Sequence, residues 1–212
     1  MRKRALKTLL DGLLRAANRG SLAAALAGGL LVLASAVLVS VDVLLRKFAG
    51  FTLGGADELS GYALAIGSTW SFAFVLLNRG NVRIDALYER LPPAVAAVCD
   101  LLSLIALLVF VSVVAWYGFN VVQQSARVNA HSNSALAVPL VVPQAMWWAG
   151  YAWFVLCAAA LLGRSLLALL AADWPAVNRL IGARSISEEA ADEAAAAEAA
   201  RRPRNEVGAR PT

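Results

Sequence analysis

The segment RGNVRIDALYERLPP, residues 79–93, is charged and lies between two long apolar runs. Ile84, Leu87, Tyr88 and Leu91 recur at i, i+3, i+4 and i+7, whereas Arg83, Asp85, Glu89 and Arg90 fall largely on the other side. This period predicts a short helix with one apolar and one polar face. Pro92 and Pro93 close it, because proline lacks the backbone donor and clashes with the preceding turn. Between two membrane spans, such a helix is expected to lie along the bilayer surface, apolar face down. An ordinary charged loop is the alternative that residue chemistry leaves open.

The flanking runs decide the class. Hydrophobic residues make up 60% of the 212 and charged residues 16%, with a mean hydropathy of +0.66. Soluble domains have about 45–50% and about 25%. The runs are Ser21 to Leu45, Glu58 to Leu77, Leu101 to Phe119 and Gln144 to Gly163. Each is near the roughly 20 residues that a helix needs to cross about 30 Å of hydrocarbon. They are continuous and rich in Leu and Ala, without the alternation of a barrel strand. An all-α membrane protein with four transmembrane helices is expected, its membrane domain covering residues 21–170.

The flanks of that domain differ in kind. In residues 1–20, Leu6, Leu9, Leu10, Leu13, Leu14 and Ala17 form an apolar stripe opposite Arg4, Lys7, Asp11 and Arg15. This predicts an interfacial helix leading into the membrane. A secretory signal ending near Ala34-Ser35-Ala36 competes with it, but the apolar run continues to Leu45. Residues 171–212 form an Ala- and Glu-rich tail, solvated or disordered by composition.

Twelve Lys and Arg flank one side of the spans, from Arg2 to Arg19, at Arg79, Arg83 and Arg90, and at Arg164, Arg179 and Arg184. Only Arg46, Lys47 and Arg127 flank the other. The excess predicts that both termini and the 79–93 segment are cytoplasmic. The net charge of +5 is then a topology signal and a contact for anionic lipid, and no nucleic-acid partner is expected. Trp116, Tyr117, Trp147 and Trp148 fall at the outer headgroups, whereas Trp70 and Trp153 are expected to pack between helices. Cys99 and Cys157 fall at different depths, too far apart to pair.

In the first outer loop, Asp42 stands four residues before Arg46, so the two can pair. Asp57 and Glu58 open the second span, where carboxylates suit the positive end of the helix dipole. The second outer loop contains Arg127, His131, Ser132, Asn133, Ser134, Pro139 and Pro143, the composition of an ordered turn. Gly61, Ala65 and Ser68, with Gly67 beside them, offer a face for close helix approach.

The chemistry is sparse. One histidine, His131, cannot supply paired haem ligands, and no metal-ligand spacing, phosphate loop or nucleophile–base set is present. No enzyme activity and no cofactor are expected. Asp42, Glu58 and Asp100 lie near span ends, whereas carriers usually place a charge deep in a span, at a cost of about 2.5–3.5 kcal/mol. A free-standing structural membrane protein and a small autonomous carrier are the alternatives.

The order Arg46-Lys47-Phe48, Asp57-Glu58, Arg79-Gly80-Asn81-Val82-Arg83-Ile84-Asp85, Leu91-Pro92 and Leu136-Ala137-Val138-Pro139 resembles the DctQ-like family. These are small membrane subunits of tripartite ATP-independent periplasmic (TRAP) transporters. The resemblance covers roughly residues 37–170, and the Arg-Gly-x-x-x-x-Asp element is its most specific part. Asn81 stands where the family often has histidine. The resemblance implies a bacterial or archaeal inner-membrane subunit that anchors a large permease subunit. That partner carries the sodium and substrate sites, and a periplasmic binding protein delivers the substrate, typically an organic acid. Arg46, Asp57, Glu58, Arg79, Gly80, Arg83, Asp85, Leu91, Pro92 and Pro139 are then structural or motif residues, not catalytic, cofactor or metal ligands.

Overall fold

The computed structural model describes residues 2–80, 92–171 and 173–182, with single positions between 190 and 198. Among these residues the chain is all-helical: α1 Arg2–Phe48, α2 Ala56–Leu77, α3 Pro93–Arg127, α4 Val141–Leu169 and α5 Trp174–Ile181. The first four are long and apolar enough to cross a membrane. Proline sits in the opening turn of three helices, Pro93 in α3, Pro143 in α4 and Pro175 in α5. There its missing N–H has no intrahelical partner to lose. Residues 81–91 lie outside the described residues, and with them Ile84, Leu87, Tyr88 and Leu91, on which the surface helix was expected.

The helices outrun their predicted spans. At 1.5 Å per residue, the 47 residues of α1 and the 35 of α3 measure about 70 Å and about 52 Å, well beyond about 30 Å of hydrocarbon. No break falls at residue 20. Residues 2–20 continue the helix of the first span, and Ala17 is buried against the other helices.

Packing is decided by where backbones approach. α1 lies on α2, α2 on α4, and α4 on α3, while α5 packs across the ends of α3 and α4. A Cβ on Gly67 would stand 2.8 Å from the Gly28 carbonyl oxygen, and one on Gly28 would stand 2.9 Å from Gly67 Cα. Two turns of helix therefore meet with no side chain between them. Gly150 of α4 approaches α2 in the same way, a Cβ there falling 2.5 Å from Thr69 Oγ1. The close approach thus runs through Gly67 and Thr69, both buried. It does not use Gly61, where a Cβ would meet nothing within 4 Å.

Aromatic side chains fill the wider gaps. Phe72 of α2 packs on Tyr151 and Phe154 of α4, with centroids 6.0 and 5.9 Å apart. Phe119 of α3 packs on Trp148 of α4 at 5.0 Å. α2, α3 and α4 enclose a groove of about 380 Å3 lined by Phe72, Phe110, Val111 and Phe154. The outer faces carry Leu26, Leu30 and Leu33 on α1 and Val109, Phe110 and Trp116 on α3, all exposed. Lipid or a partner subunit, not water, suits apolar surface of that extent.

Candidate functional site

Polar chemistry concentrates at the two ends of the helix array. One end, here the loop end, carries residues 49–55 and 128–140. Asp42 is its hub. The Asp42 side chain is 3% exposed, and its Oδ2 accepts from Arg46 Nη2 at 2.6 Å. Its Oδ1 accepts from Thr52 Oγ1 at 2.8 Å and from the Leu53 N–H at 2.7 Å. The i, i+4 pair with Arg46 was legible in the spacing. The grip on Thr52 and Leu53 was not, because it depends on how the chain turns back after Phe48.

That turn continues through Gly54 and Gly55, at φ +63° and +102°. A Cβ on Gly55 would collide with Leu136, 2.4 Å from its Cδ1. Leu136 of the second loop therefore sits on the first, and only glycine allows it. Ser132 holds the second loop: its N–H donates to the Val138 carbonyl at 2.9 Å and its Oγ accepts from the Val138 N–H at 3.1 Å. Ser134 Oγ accepts from the Leu136 N–H at 3.1 Å, and His131 pairs with Pro139 across the base. The ordered turn expected from the composition is present.

Glu58 lies beneath this loop. Its Oε1 accepts from the Tyr62 hydroxyl. The Ser132 and Ser134 hydroxyls stand beside the carboxylate, but none satisfies Oε2, which is buried without a protein partner. Asp57 is exposed, and its carbonyl accepts from Ser60 Oγ.

The other end, the basic end, gathers the N-terminal turns of α1, the C-terminal ends of α2 and α4, and α5. Arg164 of α4 is buried and donates to Asp11 Oδ1 of α1 at 2.6 Å. Asn78 donates to Asn18 Oδ1 at 2.9 Å. After Asn78 the Gly80 N–H bonds the Val75 carbonyl and the Arg79 N–H the Leu76 carbonyl, with Arg79 at φ +56°. This is a Schellman cap with arginine in the left-handed position that glycine usually takes. The short helix α5 starts at Asp173, which accepts from the Ala176 N–H, and buries Val177 and Ile181. Reading the tail by composition alone passed over α5, although Asp173 before Pro175, with Val177, Leu180 and Ile181, is a capped amphipathic turn.

The motif residues therefore divide. Arg46, Asp57, Glu58 and Pro139 lie at the loop end, Arg46 bonded to Asp42, Glu58 to Tyr62 and Pro139 paired with His131. Arg79, Gly80 and Pro92 belong to the opposite side of the array, and Arg83, Asp85 and Leu91 lie outside the described residues. Trp70 and Trp153 pack between helices as expected, donating to the Met146 carbonyl and to Ser21 Oγ. Trp148 also donates inward, to the Ala115 carbonyl, while Trp116 and Tyr117 remain exposed. Among the described residues no cluster of His, Cys, Asp and Glu could hold a metal ion.

The family model for the DctQ component of tripartite ATP-independent periplasmic transporters matches residues 21–169. The chain belongs to the DctQ family. The match spans all four membrane-crossing helices and both loops of the loop end. It makes this a multi-pass membrane component of a TRAP transporter. No curated protein and no solved structure gives a significant match.

Proposed function

We propose that this DctQ-family chain is the scaffold subunit of a sodium-coupled, binding-protein-dependent transporter for organic acids. It anchors the large permease subunit in the inner membrane while that subunit moves substrate. The observation that carries this reading is the family match over the whole four-span array. The placement of charge supports it. Asp42 and Arg164 are held by their own chain at opposite ends of the array, which suits a static support. A carrier instead exposes charge to a moving ion at mid-membrane. The same reading keeps the expectation from the sequence that Ile84, Leu87, Tyr88 and Leu91 form the apolar face of a surface helix in the 79–93 segment, four positions that lie outside the described residues. The cytoplasmic side is the basic end, following its excess of Lys and Arg.

Reconstitution tests the assignment. The purified chain alone, given a sodium gradient, should move no organic acid, and uptake should appear when the large subunit and the binding protein are added. Glu58→Gln should leave the apparent sodium affinity of that complex unchanged. A large shift at unchanged complex yield would put ion coupling on this subunit and end the scaffold reading. Orientation has its own measurement. In intact cells an impermeant thiol reagent should reach a cysteine placed at Ser132 and not one placed at Gly80, and the reverse pattern would invert the topology.

A further inference from the structure

We propose, resting on the scaffold reading, that the groove between α2 and α3 seats a transmembrane helix of the large permease subunit and bonds it through the Tyr151 hydroxyl. α2 and α3 each pack along α4 but not along each other. The cleft of about 380 Å3 between them has Phe72, Phe110, Val111, Val114 and Phe154 in its walls, with Tyr151 of α4 on its floor. Every lining residue belongs to a membrane-crossing helix. Two helices that flank a third leave a valley, and the side-chain ridge of a fourth helix can enter it.

One polar atom decides between a helix and a lipid chain. Tyr151 is half-buried, its ring met edge-on by Trp147 at 5.1 Å and flanked by Phe72 at 6.0 Å. Among the described residues its hydroxyl has no hydrogen-bond partner. The neighbouring Gly150 abuts Thr69 of α2, which stands between Ala56 and Leu77, the two ends of that helix. At 1.5 Å per residue, Tyr151 therefore lies about 20 Å below the first end and about 12 Å above the second. Acyl chains at that depth offer only CH2 groups, and a hydroxyl without an acceptor is costly in hydrocarbon. A transmembrane helix supplies an acceptor there through a polar side chain or a freed carbonyl.

The outer face of α1 differs. Leu26, Leu30, Leu33 and Val37 are exposed on it, and the exposed Ser40 hydroxyl donates to the Ala36 carbonyl of its own helix at 2.8 Å. An aliphatic face whose hydroxyl is already bonded suits lipid.

Photo-crosslinking in membranes that hold the assembled transporter tests the seat. Benzoylphenylalanine replaces Phe110, 66% exposed at the mouth of the groove, or Leu30 on α1, 67% exposed. On irradiation the chain should crosslink to the large subunit from Phe110 and not from Leu30. A yield from Leu30 equal to or above that from Phe110 would overturn the groove and leave the scaffold reading standing. A Phe110 product with lipid, or with a second copy of the chain, would overturn it as well. Failure of the two subunits to co-purify at all would end the scaffold reading and this inference with it. Tyr151→Phe keeps the ring contacts and removes only the hydroxyl. Affinity of the purified chain for the large subunit in detergent should fall about fivefold, the worth of one interhelical hydrogen bond of about 1 kcal/mol. The thermal midpoint of the chain alone should not move. Unchanged affinity, or a loss matched by a lower midpoint, would overturn the proposal.

Discussion

The loop end and the basic end solve the same problem, a polar group at the margin of an apolar array, in opposite ways. At the loop end the chain satisfies Asp42 itself but leaves Glu58 Oε2 buried without a protein partner. Asp42 takes donors from Arg46, Thr52 and Leu53, and Leu136 closes over Gly55. At the basic end Asp11 pairs with the buried Arg164, and Arg15, Arg79 and Arg179 line a cavity beside that pair. Self-satisfied polar groups such as Asp42 make a rigid surface, whereas the basic end ties α1 to α4 through a charged pair. One end thus fixes its own loop, and the other fastens two helices to each other.

The frame itself can be broken. Gly67→Val would drive its side chain into the Gly28 carbonyl and Val32, and overpacking where backbones touch costs about 3 kcal/mol or more. Both ends should fail together, since α1 and α2 contribute to each. The yield of monodisperse protein and its thermal midpoint measure this. If the variant keeps a wild-type midpoint, the Gly28–Gly67 crossing does not hold the array.

A smaller effect sharpens the contrast between the caps. Arg79→Gly relieves a left-handed arginine and should raise stability by about 1 kcal/mol or less. Asn129→Gly, at the same cap after α3, should change stability by no more than about 0.5 kcal/mol, because asparagine already tolerates the conformation. Thermal midpoints of the two variants in lipid-free detergent make the comparison. A lower midpoint for Arg79→Gly would mean that its side chain mainly holds the fold together.

Composition and periodicity determined much of this protein. Long Leu- and Ala-rich runs have one way to satisfy their backbone in hydrocarbon, so four helices followed from the sequence. The Asp42–Arg46 pair followed from a four-residue spacing, and the Arg-Gly and Leu-Ala-Val-Pro elements pointed to the family that the match over residues 21–169 shows. Tertiary structure alone decided the rest. Gly67, and not Gly61, makes the close crossing, because the helix rotation that chooses between them depends on α1 and α4 together. Glu58 lies beneath Ser132 and Ser134, some 75 residues later, only because two loops dock through Gly55 and Leu136. Arg15, Arg79 and Arg179 share a cavity although no local pattern relates them. Spacing reports what one helix face carries. Contacts between helices depend on shape, and in an array of apolar helices shape resides in a few glycines and the backbone they leave exposed.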